Sequence, residues 1–251
     1  MRVRFCYGLL SFGLVLLAWE MLVWLSGWSA HVFPGPLAVL ASLWELTANG
    51  TLLKHTVASL FRVTMGFYLA IVFGVPLGML LGSFTPLRRL VNPLVHFLRP
   101  ISPLAWIPLA MLWFGIGDVP AVFLIFLASF FPLVATSSMA VSSINPTYFQ
   151  VAANFHFSRW EMFSKVFIPA SIPSLVAGLR QSITIAWLVV VAAEMIAVQS
   201  GLGYLILDAR NGLRMDYVMV AMVVIGVIGL LLDIIMRQLA RIPSASWGRF
   251  R

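Results

Sequence analysis

Residues 63–87 read VTMGFYLAIVFGVPLGMLLGSFTPL and contain no charged side chain. A helix needs about 20 mostly apolar residues to cross the hydrocarbon core of a bilayer, so this stretch is long enough to span a membrane. Within it, glycines recur at intervals of four and eight residues, at Gly66, Gly74, Gly78 and Gly82. Small residues at that period let two helices approach closely, so the pattern predicts a helix-packing seam.

The composition of the whole chain agrees with a membrane protein. Of its 251 residues, 61% are hydrophobic and 10% are charged, which leaves too little polar surface for a water-soluble domain. Helices and closed barrels are the structures that satisfy every backbone hydrogen bond in lipid, and the long apolar runs favour helices. The net charge of +8 does not indicate nucleic-acid binding, because the basic residues lie at the ends of apolar segments.

Similar apolar stretches lie on both sides of residues 63–87 in the sequence. Together they predict an all-α polytopic membrane protein with about six transmembrane helices. The predicted spans cover about residues 9–28, 63–87, 90–117, 119–141, 174–198 and 217–236. The third span contains Pro93, Pro100, Pro103 and Pro108, so it is predicted to be bent or broken. Residues 37–48 have a polar side with Glu45 and predict a helix at the membrane surface.

The distribution of basic residues predicts the orientation, since cytoplasmic loops carry an excess of Lys and Arg. Six spans place both termini on one side, together with most of the basic residues: Arg2, Arg4, Arg88, Arg89, Arg159, Lys165, Arg237, Arg241, Arg249 and Arg251. Both termini are therefore predicted to be cytoplasmic. The same assignment places the polar segment 142–169 in the cytoplasm, where it could receive a soluble partner.

That segment resembles the coupling loop, or EAA loop, of ABC importer permeases. The family pattern is Glu-Ala-Ala, three residues, Gly, nine residues and Ile-x-Leu-Pro, and here Gln150, His156 and Val166 occupy the Glu, Gly and Ile positions. The resemblance implies a contact with an ATPase made by the following residues: Gln150, Val151, Ala152, Ala153, His156, Ser158, Val166, Ile168 and Pro169.

Two residues of this loop depart from the family pattern. Gln150 lacks the carboxylate that could pair with a basic residue of the ATPase. His156 replaces a glycine, and we expect that it cannot adopt the left-handed turn that glycine takes freely. We further expect that a charge at Ala152, as in Ala152→Glu, abolishes transport and leaves the folded dimer intact.

Further motifs resemble the nitrate, sulfonate, taurine and bicarbonate branch of these permeases. They include RPISPLAWIPL at residues 99–109, WFGIG at 113–117 and SGLGYLI at 200–206. The resemblance implies a type I ABC importer permease-like fold in a bacterial inner membrane, with a homodimer, a separate ATPase that binds ATP, an extracytoplasmic solute-binding protein and no cofactor of its own. It also implies a single permease domain over residues 1–251, with a core at about 52–240, and a small anion or polar organic acid as solute.

Ionisable and aromatic residues inside the spans are the candidates for the translocation path. These candidates are Trp106, Trp187, Glu194, Arg99 and Arg180. For Glu194 an interhelical hydrogen bond or salt bridge is an equally good interpretation. Arg62 and Asp233 lie near predicted span ends, where snorkelling or a helix-end partner would accommodate their charges.

Two other classes of membrane protein stay open at this stage. An ion-coupled secondary transporter would need coupling carboxylates near mid-bilayer and usually an internal repeat, and Glu20 and Glu194 are poor candidates for that role. An intramembrane enzyme would need a nucleophile paired with a base, and no such pair is visible in the spans. A phosphate-binding P-loop requires a Gly-Lys-Ser/Thr context that neither Lys54 nor Lys165 has, so ATP hydrolysis is expected in another chain.

Overall fold

The computed structural model describes residues 2–29 and 32–239, and within these ranges every regular element is helical. Arg241, Arg249 and Arg251, on which part of the orientation prediction rests, lie outside the described residues. The helices are α1 (Arg2–Ser26), α2 (Pro36–Ala48), α3 (Thr51–Ser83), α4 (Thr85–Leu98), α5 (Ile107–Phe114), α6 (Asp118–Ser142), α7 (Pro146–Asn154), α8 (Arg159–Met162), α9 (Ile168–Ala197), α10 (Leu202–Asn211) and α11 (Met215–Leu239). The expected all-α fold is confirmed.

The second half of helix α3 packs in parallel against α6. Gly66, in the middle of α3, lies against Ile125 in the first half of α6, and Gly78 lies against Val134 further along. A Cβ atom at Gly78 would stand 2.5 Å from the carbonyl oxygen of Val134, so the backbones touch here and a larger residue would push them apart. The glycines of residues 63–87 therefore form the predicted seam.

Helix α9 completes the core by running antiparallel to α6. At one end Gly178 lies against Thr136, and at the other the Gly117 N–H donates to the Ala197 carbonyl at 3.2 Å. The buried side chains between these ends are mostly aliphatic, with Leu124 and Val190 almost fully enclosed. Helices α3, α6 and α9 thus form the centre of the bundle.

The third predicted span is broken, as its prolines predict. Helix α4 ends at Leu98, a short 3-10 helix covers Pro103–Trp106, and α5 continues at 85° to α4. The Ser102 hydroxyl accepts a hydrogen bond from the Leu104 N–H and so caps the start of the 3-10 helix. A proline nitrogen carries no hydrogen and cannot continue a helix, but it is tolerated in the first turn, which is where Pro103 and Pro108 lie.

Four helical segments of the described chain are long and apolar enough to span a membrane, and the bent pair α4–α5 makes a fifth candidate. The four are Thr51–Ser83, Asp118–Ser142, Arg159–Ala197 and Met215–Leu239. Helix α1 contributes a shorter apolar stretch, Leu10–Ser26, so the sixth span stays a prediction. The second span also differs from the predicted one, because the helix begins at Thr51 and carries Arg62 inside it.

The two ends of the bundle differ in what covers them. We call the end that carries α2 and α10 the cap end, and the end that carries α7 and α8 the loop end. At the cap end α2 packs beside α3 and α11, and the Ser42 hydroxyl donates to Asp216 at 2.7 Å. Glu45 lies on the outer side of α2 with an exposed side chain, as expected of a surface helix.

Candidate functional site

The segment that joins α6 to α9 is helical over most of its length. Asn145 begins α7, since its side chain accepts a hydrogen bond from the Thr147 N–H at 2.9 Å and Pro146 follows at the first helical position. After α8, a π-helical turn over Phe163–Phe167 leads directly into α9. The end of the segment is therefore continuous with a core helix, and the two can move as one body.

The turn between α7 and α8 is closed at His156, which has a φ of +52°. Its N–H donates to the Ala153 carbonyl at 3.0 Å, and the Phe157 N–H donates to the Ala152 carbonyl at 3.0 Å. These two bonds form a Schellman motif with His156 in its left-handed position. The expectation that His156 would resist this turn is wrong, because the two bonds hold it there and histidine is one of the residues enriched at positive φ.

Helix α8 begins with a capping box. The Ser158 hydroxyl accepts a hydrogen bond from the Glu161 N–H at 3.2 Å, and the Glu161 carboxylate accepts one from the Ser158 N–H at 3.0 Å. Lys165 adds an ion pair to Glu161 at 2.8 Å, one turn further along the helix. These polar contacts join near neighbours in sequence, so the segment is organised by its own residues.

The loop residues named from the sequence are divided between its interior and its surface. Ala152 and Val166 are buried, with 2% and 7% of their surfaces exposed. Pro169 is half-buried, and the remaining named residues are exposed: Gln150, Val151, Ala153, His156, Ser158 and Ile168. The effect of Ala152→Glu on transport stays a prediction, but the burial of Ala152 changes its expected cause. A glutamate there would first disrupt the packing of the loop itself, because burying an unpaired charge is costly.

Two aromatic side chains of the loop were not selected from the sequence. Phe155 and Trp160 expose 72% and 73% of their surfaces, and Val151 exposes 48%. Large apolar groups in an otherwise polar segment were the available signal, since such groups on a solvent-facing surface indicate a contact with a partner. These three side chains, Val151, Phe155 and Trp160, are called the loop surface below.

The candidates for the path fall into two cavities and one buried cluster. Arg99 and Trp106 line a cavity of about 210 Å³ beside α6. Arg180 and Trp187 line a groove of about 780 Å³ between α9 and α11. Glu194 lines neither of them and is fully buried.

In the larger groove, both candidates have partners within the chain. The guanidinium of Arg180 donates to the Asp233 carboxylate at 2.6 Å, so its charge is neutralised locally. The indole N–H of Trp187 donates to the Ile225 carbonyl at 3.0 Å, and its ring is almost completely buried. These contacts attach α9 to α11.

Glu194 and Arg62 form an ion pair at 2.6 Å near the cap end of the bundle. Arg62 is 1% exposed, so it does not snorkel to an interface as a residue near a span end would. It also pairs with Asp118 at 2.7 Å and donates to the Ser200 carbonyl at 2.8 Å. This cluster joins α3, α6, α9 and the turn before α10 through hydrogen-bonded charges.

The second carboxylate oxygen of Glu194 is enclosed by α3 and the start of α10. It accepts hydrogen bonds from the Ser59 hydroxyl at 2.8 Å and the Gly203 N–H at 3.0 Å. Gly201 has a φ of +105°, and a Cβ atom there would lie 2.2 Å from the Glu194 carboxyl carbon. The turn therefore requires glycine both for its backbone conformation and for the space that the carboxylate occupies. We call these residues, with Arg62 and Asp118, the cap cluster.

The comparisons with known proteins agree with the sequence motifs and the fold. The sequence profile described as "Binding-protein-dependent transport system inner membrane component" matches residues 74–243. The chain is 41% identical over 189 residues to a putative ABC transporter permease protein of Methanocaldococcus jannaschii, covering 75% of this chain and 71% of that one. It is 32% identical to the taurine transport system permease protein of Escherichia coli, covering 92% and 86%.

A solved structure has the same fold. The MetNI methionine ABC transporter in an inward facing conformation superimposes with a TM-score of 0.65 at 17% sequence identity, covering 73% of this chain and 92% of that chain.

Proposed function

This chain belongs to the family of binding-protein-dependent transport system inner membrane components, and from that premise we propose what its surfaces bind and what it carries. It is a permease subunit of an ABC importer, which decides against the ion-coupled transporter. We propose that the chain is not itself an enzyme and that a separate subunit hydrolyses ATP. We propose that the whole chain is one permease domain with its core at about residues 52–240. The solute is a small anion or polar organic acid, a class that includes the taurine carried by the Escherichia coli relative.

The loop surface is the proposed contact with the ATPase subunit, which binds and hydrolyses ATP. The observation that carries this proposal is the exposure of Val151, Phe155 and Trp160 on a segment that continues into α9. Large aromatic side chains commonly supply most of the binding energy in protein interfaces. Gln150 lies on the same helix and offers an amide where the family pattern has a carboxylate, so its contact is a hydrogen bond. Movement of the ATPase reaches the core through α9.

The proposed orientation places the loop end in the cytoplasm. Arg88, Arg89, Arg159 and Lys165 belong to segments at this end, and such an excess of positive charge is typical of the cytoplasmic side. The chain enters α1 and leaves α11 on the same side, in the cytoplasm of a bacterial cell with this protein in its inner membrane. The cap end then faces outward and receives the solute-binding protein.

A second copy of the chain is proposed to complete the translocation path. Helices α4 and α5 expose large apolar side chains, including Leu94, Phe97 and Leu112, and these contact lipid or the second copy. The path is proposed to run past Arg99 and Trp106, which line a cavity together. Arg180, Trp187 and Glu194 have partners within one subunit, so we assign them to holding the helices in position.

Co-purification with the ATPase subunit tests the loop surface. We expect Trp160→Ala to weaken the contact about thirtyfold and so to reduce the amount of ATPase recovered with the tagged permease, since a central aromatic side chain contributes about 2 kcal/mol to an interface. Trp44→Ala is the matched control, because Trp44 is exposed to 77% and lies at the cap end. Val151→Glu replaces Ala152→Glu as the charge variant. Equal recovery of ATPase with wild type, Trp160→Ala and Val151→Glu would rule out this surface as the contact.

A further inference from the structure

A second cavity lies next to the one that Trp106 lines, and its walls combine basic and polar side chains with apolar ones. It has a volume of about 240 Å³ and lies between α4 and the last turns of α6. We call it the α4–α6 cavity, and its polar lining consists of Arg88, Asn92, His96 and Arg99 from α4 and its end, and Ser138 and Ser142 from α6. Arg99 lines both cavities, so they adjoin at its side chain.

The spacing of these residues along α4 places their side chains on the side of the helix that faces α6. Arg88, Asn92, His96 and Arg99 follow at intervals of four, four and three residues and therefore share one face of the helix. The opposite face carries apolar side chains such as Leu90 and Leu94, which are exposed to 76% and 58%. On the polar face Arg88 and Asn92 are half-buried, whereas His96 and Arg99 are exposed, so this face borders a cavity that is open to the outside of the subunit. Ionisable residues of membrane helices typically face such a water-filled path.

The charge of the α4–α6 cavity is uncompensated. No aspartate or glutamate lines either cavity, and within the described residues neither Arg88 nor Arg99 forms an ion pair. By contrast, Arg62 at the cap end and Arg180 in the larger groove each have a carboxylate within 2.7 Å. Two guanidinium groups that keep their donors free form a site of the kind that binds an oxyanion through paired hydrogen bonds.

We infer that the α4–α6 cavity binds an oxyanion. In transport, the negatively charged group of the solute passes through this cavity as the solute leaves the permease. The inference rests on the proposed import function and deepens it, since it assigns the charge of the solute to residues. A solute passes Trp106, exchanges onto Arg99, and reaches Arg88 near the loop end. Cavities of about 210 and 240 Å³ suit a small ion better than a drug-sized molecule, which usually occupies about 300 Å³ or more.

Protection of arginines from chemical modification tests the site without requiring transport. The permease–ATPase complex is placed in nanodiscs of phosphatidylcholine, treated with phenylglyoxal, and digested so that mass spectrometry reports the modification rate of each arginine. Sodium methanesulfonate and sodium nitrate are the probes, with sodium chloride as the ionic-strength control. We expect either probe to slow modification of Arg88 and Arg99 about tenfold, because bidentate oxyanion binding occupies the guanidinium donors. Arg89 is the internal control, since it is exposed and lines neither cavity.

A second arm separates a transported oxyanion from a lipid phosphate. Nanodiscs that contain phosphatidylglycerol are treated in sodium chloride alone. Protection by this lipid without protection by methanesulfonate or nitrate would overturn the inference in favour of a lipid headgroup site. Unchanged rates at Arg88 and Arg99 under every condition would also overturn it.

A variant links the two arginines to one site. We expect Arg88→Gln to remove the protection of Arg99, whereas Arg89→Gln leaves it intact. Protection of Arg99 that survives Arg88→Gln would separate the two arginines and contradict a shared site. Failure of the proposed import function would be distinguishable from failure of the site. In that case the wild-type protein would show no ATP-driven uptake or no contact with the ATPase, while the protection of the arginines persists.

Discussion

The cap cluster and the loop between α6 and α9 are both rich in hydrogen bonds, but they join very different parts of the chain. In the cap cluster, Arg62 pairs with Glu194 across 132 residues of sequence, and both side chains are buried. In the loop, Glu161 bonds to Ser158 and Lys165, three and four residues away, and the contacts face solvent. The cap cluster therefore fixes several helices to one another, whereas the loop stabilises only its own shape. The cap end holds the helices together, and the loop end offers a surface for a partner.

The strongest test of this comparison removes one charge from the cap cluster. We expect Arg62→Met to destabilise the permease by about 3–5 kcal/mol, because Glu194 would remain buried without its partner. The loss appears as a lower melting temperature of the purified protein, followed by tryptophan fluorescence, and as poor recovery from size-exclusion chromatography.

Two further variants show whether the pairing itself is responsible. Arg62→Met combined with Glu194→Met should recover part of the stability, since neither charge is then left unpaired. Lys165→Gln is the control, because its ion pair with Glu161 is exposed and should contribute little. If Arg62→Met melts at the wild-type temperature, the cap cluster does not fix the helices.

A smaller and more local effect is expected at the loop. Ser158→Ala removes the hydroxyl that caps α8 and should destabilise this short helix by about 1 kcal/mol. Hydrogen exchange measured by mass spectrometry should then be faster at residues 159–165 and unchanged around Arg62.

Ser164→Ala is the matched control, because the Ser164 hydroxyl bonds to the Trp160 carbonyl of its own helix and caps no free N–H. Faster exchange at the cap cluster in Ser158→Ala would show that the two regions are not independent.

The smallest expected effect is a gain of stability at His156. His156→Gly should stabilise the turn by about 0.5 kcal/mol, since the cost of a left-handed residue disappears and the greater freedom of glycine in the unfolded chain offsets part of the gain. His156→Ala keeps the Cβ atom and should show no gain. Slower hydrogen exchange of residues 152–158 measures the effect, and a loss of protection in His156→Gly would contradict it.

Features that depend on neighbouring residues could be predicted from the sequence. The prolines around Pro103 predicted the bend between α4 and α5, and the glycines at four-residue spacing predicted the seam with α6. The motifs at residues 99–109, 113–117 and 200–206 indicated the family, whereas the coupling role of residues 150–169 stays a prediction. For the bend and the seam a local rule of helix geometry was sufficient.

Features that depend on distant residues could not be predicted in the same way. The charge of Arg62 was interpreted as a sign that a span ends there. Its partner Glu194 lies on another helix, and a single sequence does not show such pairs. Ala152 was assigned to the loop correctly but not to its buried side, since α7 is too short for its apolar residues to define a face. The predicted second span was therefore shorter than α3, and the burial of Ala152 was not predicted.

The cap cluster also affects how this protein is made. Arg62 enters the membrane with α3 well before the ribosome has completed α9, so the helix must insert before Glu194 exists. An arginine at the centre of a spanning helix opposes insertion by about 2.5–3.5 kcal/mol, and the long apolar run that follows Arg62 supplies the opposing force. Asp118 is synthesised first and, with an exposed carboxylate, can serve as an interim partner. The Arg62–Glu194 pair can therefore form only after α9 has been made, and a chain truncated before α9 lacks the buried partner of Arg62.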